Sequence, residues 1–198
     1  MKNFYNFLII CFIFFSCVSS NSKRDVVVST IDFLPDNKGF IQYYTNELDN
    51  LSTGKNIFSD NINSKYIYEI ECKKISGNKY QGYGLIFASE NYDNKYYILI
   101  DVNCKYLIVK ENDPNQNRTI IKDWTLFERL NSGYDVINTI KVIKDSTIFT
   151  VFLNDIQVYQ FEDDTIDGDR LGYRVSISND ELFPNVPVDV RFRQKQIN

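Results

Sequence analysis

The feature that most constrains the fold of this chain is a two-residue alternation that sets in near Lys65. Tyr66, Tyr68, Ile70 and Cys72 alternate there with Glu69, Glu71 and Lys73. Successive side chains of a strand point to opposite faces, so this spacing buries one face and wets the other. The same kind of segment recurs after each turn cluster. Tyr83 to Ala88, Tyr96 to Val102, Tyr106 to Val109, Thr119 to Leu126 and Val136 to Ile143 all read as short strands, as do Ile148 to Leu153, Ile156 to Phe161, Leu171 to Ser178 and Val186 to Phe192. Val26 to Val28 and Gly39 to Tyr44 add two candidates upstream, and residues 46 to 54 read as a loop or a single helical turn. Ser76-Gly77-Asn78-Lys79, Lys144-Asp145-Ser146 and Asn154-Asp155 supply turns. About a dozen strands with no helical period predict an all-β fold. Two packed antiparallel sheets follow, because a single open sheet would leave an apolar face in water.

The N-terminus has a different character. Lys2 precedes an apolar run from Phe4 to Phe15, the pattern of an export signal. The run is too short to span a hydrocarbon core of about 30 Å as a helix. Ser16-Cys17 at its end resembles the lipobox of bacterial lipoproteins, which implies that Cys17 becomes the lipidated first residue. An ordinary secretory signal cut near Ser16 or Ser20 is the alternative. The expected organisation is a signal peptide over 1–16, a lipidated tether over 17–25 and one domain over 26–198. The location implied is the bacterial cell envelope, anchored through the lipid to the outer membrane, with the membrane face left open.

Composition removes several function classes. The chain has no histidine, which excludes the commonest general base, the commonest zinc ligand and every nucleophile activated by an imidazole. A formal net charge of −4 without a basic run argues against nucleic acid as a partner. Outside the signal and Cys17 there remain Cys72 and Cys104, read as two unbridged thiols on strands too far apart for a disulfide.

Tyr66-Ile67-Tyr68-Glu69-Ile70, Gly82-Tyr83-Gly84-Leu85-Ile86-Phe87 and Asn94-Lys95-Tyr96-Tyr97-Ile98-Leu99-Ile100 come in a distinctive order. Trp124, Asn131-Ser132-Gly133, Asn138-Thr139-Ile140-Lys141-Val142, Phe152-Leu153-Asn154 and Gly168-Asp169-Arg170-Leu171-Gly172 follow. This series, over roughly residues 55 to 193, resembles the core of concanavalin A-like lectin/glucanase domains, including laminin G-like modules. The resemblance implies a two-sheet jelly-roll β-sandwich. The residues have their own physical logic. Gly82 and Gly84 mark a close approach or bend of the backbone, and Asn138 and Asn154 suit strand starts and turns, where a side-chain amide satisfies open backbone groups.

The functional expectation is a binding module without catalysis, its partner a glycan or an envelope or host protein. The candidate contacts are Tyr92, Asp93 and Asn94 in one loop, together with Trp124. An indole face packs against a pyranose ring, although the apolar neighbours Ile120, Ile121 and Leu126 favour a core position for Trp124. Two rival readings are a hydrolase using Glu69 and Glu71 and a structural envelope lipoprotein. The Glu-x-Asp-x-x-Glu motif of glucanases with this fold is missing, since Glu69-Ile70-Glu71 is followed by Cys72-Lys73-Lys74. The loop from Asp163 to Asp169 is rich in oxygen ligands but reads as a solvated acidic turn. No cofactor or metal is assigned.

Overall fold

The alternation turns into paired strands throughout. The computed structural model describes residues 29–32, 36–45, 55–59, 67–91, 93–112, 118–176 and 188–194. The signal peptide, Cys17, the tether, the strand candidate Val26 to Val28 and Tyr92 lie outside the described residues. In chain order the strands are β1 (Ser29–Asp32), β2 (Ile41–Thr45), β3 (Lys55–Ser59), β4 (Ile67–Ser76), β5 (Tyr83–Ser89), β6 (Asn94–Ile100) and β7 (Lys105–Asn112). Then come β8 (Arg118–Leu126), β9 (Asn138–Asp145), β10 (Ile148–Leu153), β11 (Ile156–Glu162), β12 (Arg170–Val175) and β13 (Val188–Gln194). A seven-stranded sheet runs β1-β2-β13-β4-β9-β10-β11, and a six-stranded sheet runs β3-β12-β5-β6-β7-β8. All pairings are antiparallel. The protein is an all-β, two-sheet jelly-roll sandwich, as the sequence predicts.

The core lies between the two inner faces. Tyr68, Ile70 and Cys72 of β4, Ile140 and Val142 of β9 and Phe149, Val151 and Leu153 of β10 meet Leu85 and Phe87 of β5, Ile98 of β6 and Tyr173 of β12. Rings dominate one end, where Phe149 stacks on Phe161 with centroids 4.9 Å apart and Tyr96 tilts against Phe149 at the same distance. Fully burying one such side chain contributes roughly 1.5–3 kcal/mol. The same alternation carries Lys74 inward on β4, where it is completely buried. Cys72 and Cys104 are both free thiols, the first on the seven-stranded sheet and the second in the β6–β7 turn of the other.

Three sequence features have clear structural roles. A Cβ on Gly84 would sit 2.1 Å from the Ile98 carbonyl oxygen, so the β5–β6 contact requires glycine. Asn138 Oδ1 accepts from the Asn131 N–H (2.8 Å) while its Nδ2 donates to the Asn131 carbonyl (3.0 Å). Asn154 Oδ1 accepts from the Thr139 N–H, and its Nδ2 donates to the Arg129 carbonyl and to Asn138 Oδ1, each at 2.9 Å. The two amides stitch the β8–β9 connection to the β10–β11 turn.

Two features differ from expectation. Lys55–Ser59 forms β3, a strand with no counterpart in the sequence reading, which pairs with β12. Trp124 is not a core residue: it is 37% exposed on the outer face of the six-stranded sheet. The cause is local. The register of β7 with β8 shifts twice, between Tyr106 and Ile108 and again between Ile108 and Val109. Each shift places two β8 residues opposite one, which breaks the period of two. Ile121 therefore packs on the core while Ile120 points outward, 60% exposed.

Candidate functional site

The outer face of the six-stranded sheet carries a second apolar cluster of its own. Ile86, Tyr97, Leu99 and Val109 are buried there, with Leu107 packed against them. Register puts these residues side by side: Tyr97 lies opposite both Ile86 and Val109, and Leu99 opposite Leu107. Trp124 rides at one end of the cluster. A Cβ on Gly82 would lie 2.9 Å from its indole Cη2 and 3.0 Å from Leu99 Cβ, so the missing side chain of Gly82 makes the seat for the ring. The bulge leaves the Trp124 N–H without a ladder partner, and Asp123 Oδ1 accepts it at 2.7 Å. The indole is thus backed by Gly82 at its Cη2 edge and remains 37% exposed.

At the far end of the same face, four strands deliver one charged cluster. Glu111 of β7 accepts Lys95 Nζ at 2.7 Å and Arg118 Nε at 2.7 Å. Arg174 of β12 straddles the same carboxylate, with Nη2 at 3.3 Å from Oε1 and Nη1 at 3.5 Å from Oε2. The Arg174 guanidinium also lies 4.0 Å from the centroid of the Tyr97 ring. Burial alone would raise the Glu111 carboxyl, but Arg174, Lys95 and Arg118 outweigh it and hold the group below the usual carboxylate range. Lys95, Arg174 and Glu111 are buried, whereas the Arg118 side chain is one-third exposed. Because the two bulges fold six residue steps of β8 against four of β6, from Lys95 to Leu99, Arg118 and Trp124 lie roughly 13 Å apart at about 3.3 Å per residue.

The structure separates the sequence-derived candidates. Asp93 and Asn94 lie at the start of β6, in a turn where Asn91 Oδ1 accepts both of their N–H groups at 2.8 Å. Trp124 lies over Gly82 beside Leu99, toward the other end of β6, roughly 15 Å away along the strand. The loop and the tryptophan therefore do not form one site. Glu69 and Glu71 share the outer face of the opposite, seven-stranded sheet, where Glu71 pairs with Arg193 and Glu69 stands across from Lys141. Glu69 is nearly buried rather than solvated. Sequence reasoning missed the Glu111 cluster, because its members are scattered over four strands and only register assembles them.

Comparison with known proteins adds the fold. No family model matches the chain, and no curated protein sequence does either. Among solved structures, the chain superposes on a carbohydrate-binding module from Bacillus subtilis with a TM-score of 0.52 and 13% identity, over 85% of this chain and 94% of that one. It superposes on a GH43 protein from Bacillus licheniformis with a TM-score of 0.53 and 12% identity, over 83% of this chain but 36% of that one. A functionally unknown protein from Saccharomyces cerevisiae gives a TM-score of 0.50 at 10% identity, over 83% of this chain and 92% of that one. At such identities the likeness is one of fold, and it agrees with the concanavalin A-like sandwich expected from the sequence.

Proposed function

We propose that the protein is a non-catalytic glycan-binding module, in which a saccharide lies along β8 on the outer face of the six-stranded sheet. The observation that carries this reading is the placement of Trp124: its Cη2 edge set over Gly82 beside Leu99, with more than a third of the residue exposed to solvent. An indole face held in this way is pre-organised for the apolar face of a pyranose ring, so little is lost on ordering it. Arg118, oriented by Glu111, supplies a planar donor for hydroxyl or ring oxygens about 13 Å along the strand, a span of more than one sugar residue. The sandwich shared with a carbohydrate-binding module supports the same reading by analogy of fold alone.

The module is held at the bacterial envelope through lipid on Cys17, which the apolar run and Ser16-Cys17 motivate. Mass spectrometry of the mature N-terminus tests the anchor: a diacylated or triacylated Cys17 is expected, and an unmodified N-terminus beyond it would refute it. A glycan array probed with the wild type and with Trp124→Ala tests the binding. Array ligands should be retained by the wild type and lost, tenfold or more in affinity, by the variant. An array blank for both proteins, or hits untouched by Trp124→Ala, would overturn the assignment.

A further inference from the structure

A cavity of about 220 Å³ opens at the end of the sandwich remote from Trp124, between the β9–β10 hairpin and the segment that follows β11. Lys144, Ser146 and Thr147 line it from the hairpin, and Asp163, Asp164 and Asp167 from the segment. Buried Ile166 provides an apolar contact between them.

The walls are held in place by bonds to the rest of the fold. The Asp163 N–H donates to the Thr147 carbonyl at 2.9 Å, which ties the segment to the hairpin. Lys110 Nζ donates to Asp163 Oδ2 at 2.6 Å, and Thr165 donates to Asp163 Oδ1 through both its N–H and its hydroxyl. Burial would raise the Asp163 carboxyl, yet these donors hold it at about 2, so it is an ionised acceptor at neutral pH. The Asp167 N–H donates to Glu90 Oε1 at 3.0 Å. Gly168 lies so close to the end of β5 that a Cβ would fall 2.0 Å from the Ser89 carbonyl carbon. Lys144 is almost entirely buried, its ammonium paired with Asp167 and 5.5 Å from the Phe149 centroid.

The lining selects among ligand classes. Three carboxylates disfavour an anion. A divalent cation would compete with the ammonium groups that already hold Asp163 and Asp167, and no cluster of three metal-ligating side chains occurs among the described residues. Facing donors and acceptors of both signs suit a molecule whose neighbouring groups each donate and accept, which is the chemistry of adjacent ring hydroxyls. The volume lies below the range of roughly 300–1,000 Å³ typical for drug-sized ligands, which leaves room for one ring and not for a chain of them.

We propose that this cavity is a second binding site, which holds a single neutral monosaccharide or cyclic polyol between the β9–β10 hairpin and residues 163–167. It stands apart from the β8 surface in place and in chemistry, since it has donors and carboxylates where β8 has an aromatic face.

Amide correlation spectra of the full domain, titrated with a panel of neutral hexoses, pentoses and inositol, test it. At least one panel member should shift the amides of Ser146, Thr147 and residues 163–167 in a saturable way at millimolar concentrations. Asp164 is exposed and makes no bond that holds the segment in place, so Asp164→Ala keeps the fold and should weaken this binding tenfold or more. Trp124→Ala should leave it unchanged, even if that variant abolishes binding on β8. Three results would each overturn the proposal: no panel member moves these amides at tens of millimolar, Asp164→Ala binds as well as the wild type, or calcium chloride saturates the same amides while the sugars do not.

Discussion

Lys74 makes a quantitative test of how this sequence is folded. Its side chain points into the sandwich on β4 with no exposed surface, and its Nζ donates to the carbonyls of Asn78 and, at 3.0 Å, of Gln81. Burial outweighs the attraction of Asp101 and depresses the ammonium from the ordinary 10.5 to about 7. In the unfolded chain the amine stays protonated up to about pH 10.4. Above pH 7 the unfolded state therefore binds one more proton than the folded state, and stability rises with pH. At about 1.36 kcal/mol per unit, the contribution of this one group should grow by roughly 2–3 kcal/mol between about pH 6 and pH 9. Lys74→Met keeps the volume and removes the titration. Urea unfolding of both proteins across that range isolates the effect as the difference in unfolding free energy. Burial raises the Cys72 thiol and the Tyr83 hydroxyl, and both titrate on the alkaline side. They do so in both proteins and drop out of the difference. A wild type whose advantage over Lys74→Met climbs with pH supports the inward lysine. Parallel pH profiles would show that the amine is solvated, and the assigned register of β4 would fail with it.

Other consequences are equally specific. Glu111→Gln leaves the cations around it without their shared carboxylate and should cost about 3 kcal/mol at neutral pH by chemical denaturation. Because the Glu111 carboxyl is held low in the fold, its contribution is present above the unfolded carboxylate value and fades as pH falls through the folded one. The gap between wild type and Glu111→Gln should therefore shrink on acidification, and a gap independent of pH would contradict the ion-pair assignment. Gly84→Ala drives a Cβ against the Ile98 carbonyl and should destabilise by more than about 3 kcal/mol, or prevent folding, in a thermal melt. Asn154→Ala removes three hydrogen bonds that join two turns and should cost about 2–3 kcal/mol; a loss under 1 kcal/mol, read by the same melt, would deny the stitch its role.

The legible parts of this fold are those where a strand has one dry and one wet face. On β4, Tyr68, Ile70 and Cys72 face the core while Glu71 and Lys73 face outward, as the period predicts, although Glu69 on the outer face is itself nearly buried. Asn138, Asn154 and Gly84 were readable because each has a chemistry that few backbone environments need. β3 escaped because Lys55–Ser59 offers only Ile57 and Phe58 as apolar residues in a polar neighbourhood, and its pairing with β12 comes from a partner more than a hundred residues away. Trp124 misled because local company is a poor guide where bulges reset the alternation. The neighbours that suggested a core tryptophan, Ile120 and Leu126, are themselves 60% and 57% exposed. The Glu111 cluster carries no sequence signal, since Lys95, Glu111, Arg118 and Arg174 become neighbours only through strand order.

The most direct test of glycan binding on β8 uses the fact that Trp124 is the sole tryptophan of the chain. Its intrinsic fluorescence reports that one surface and no other, so a ligand found on the array can be titrated into the wild-type protein and followed at the indole. A saturable change in emission, with a midpoint equal to that from calorimetry on the same ligand, is the predicted result. Heat of binding with an indole that does not respond would place the ligand elsewhere and contradict the account.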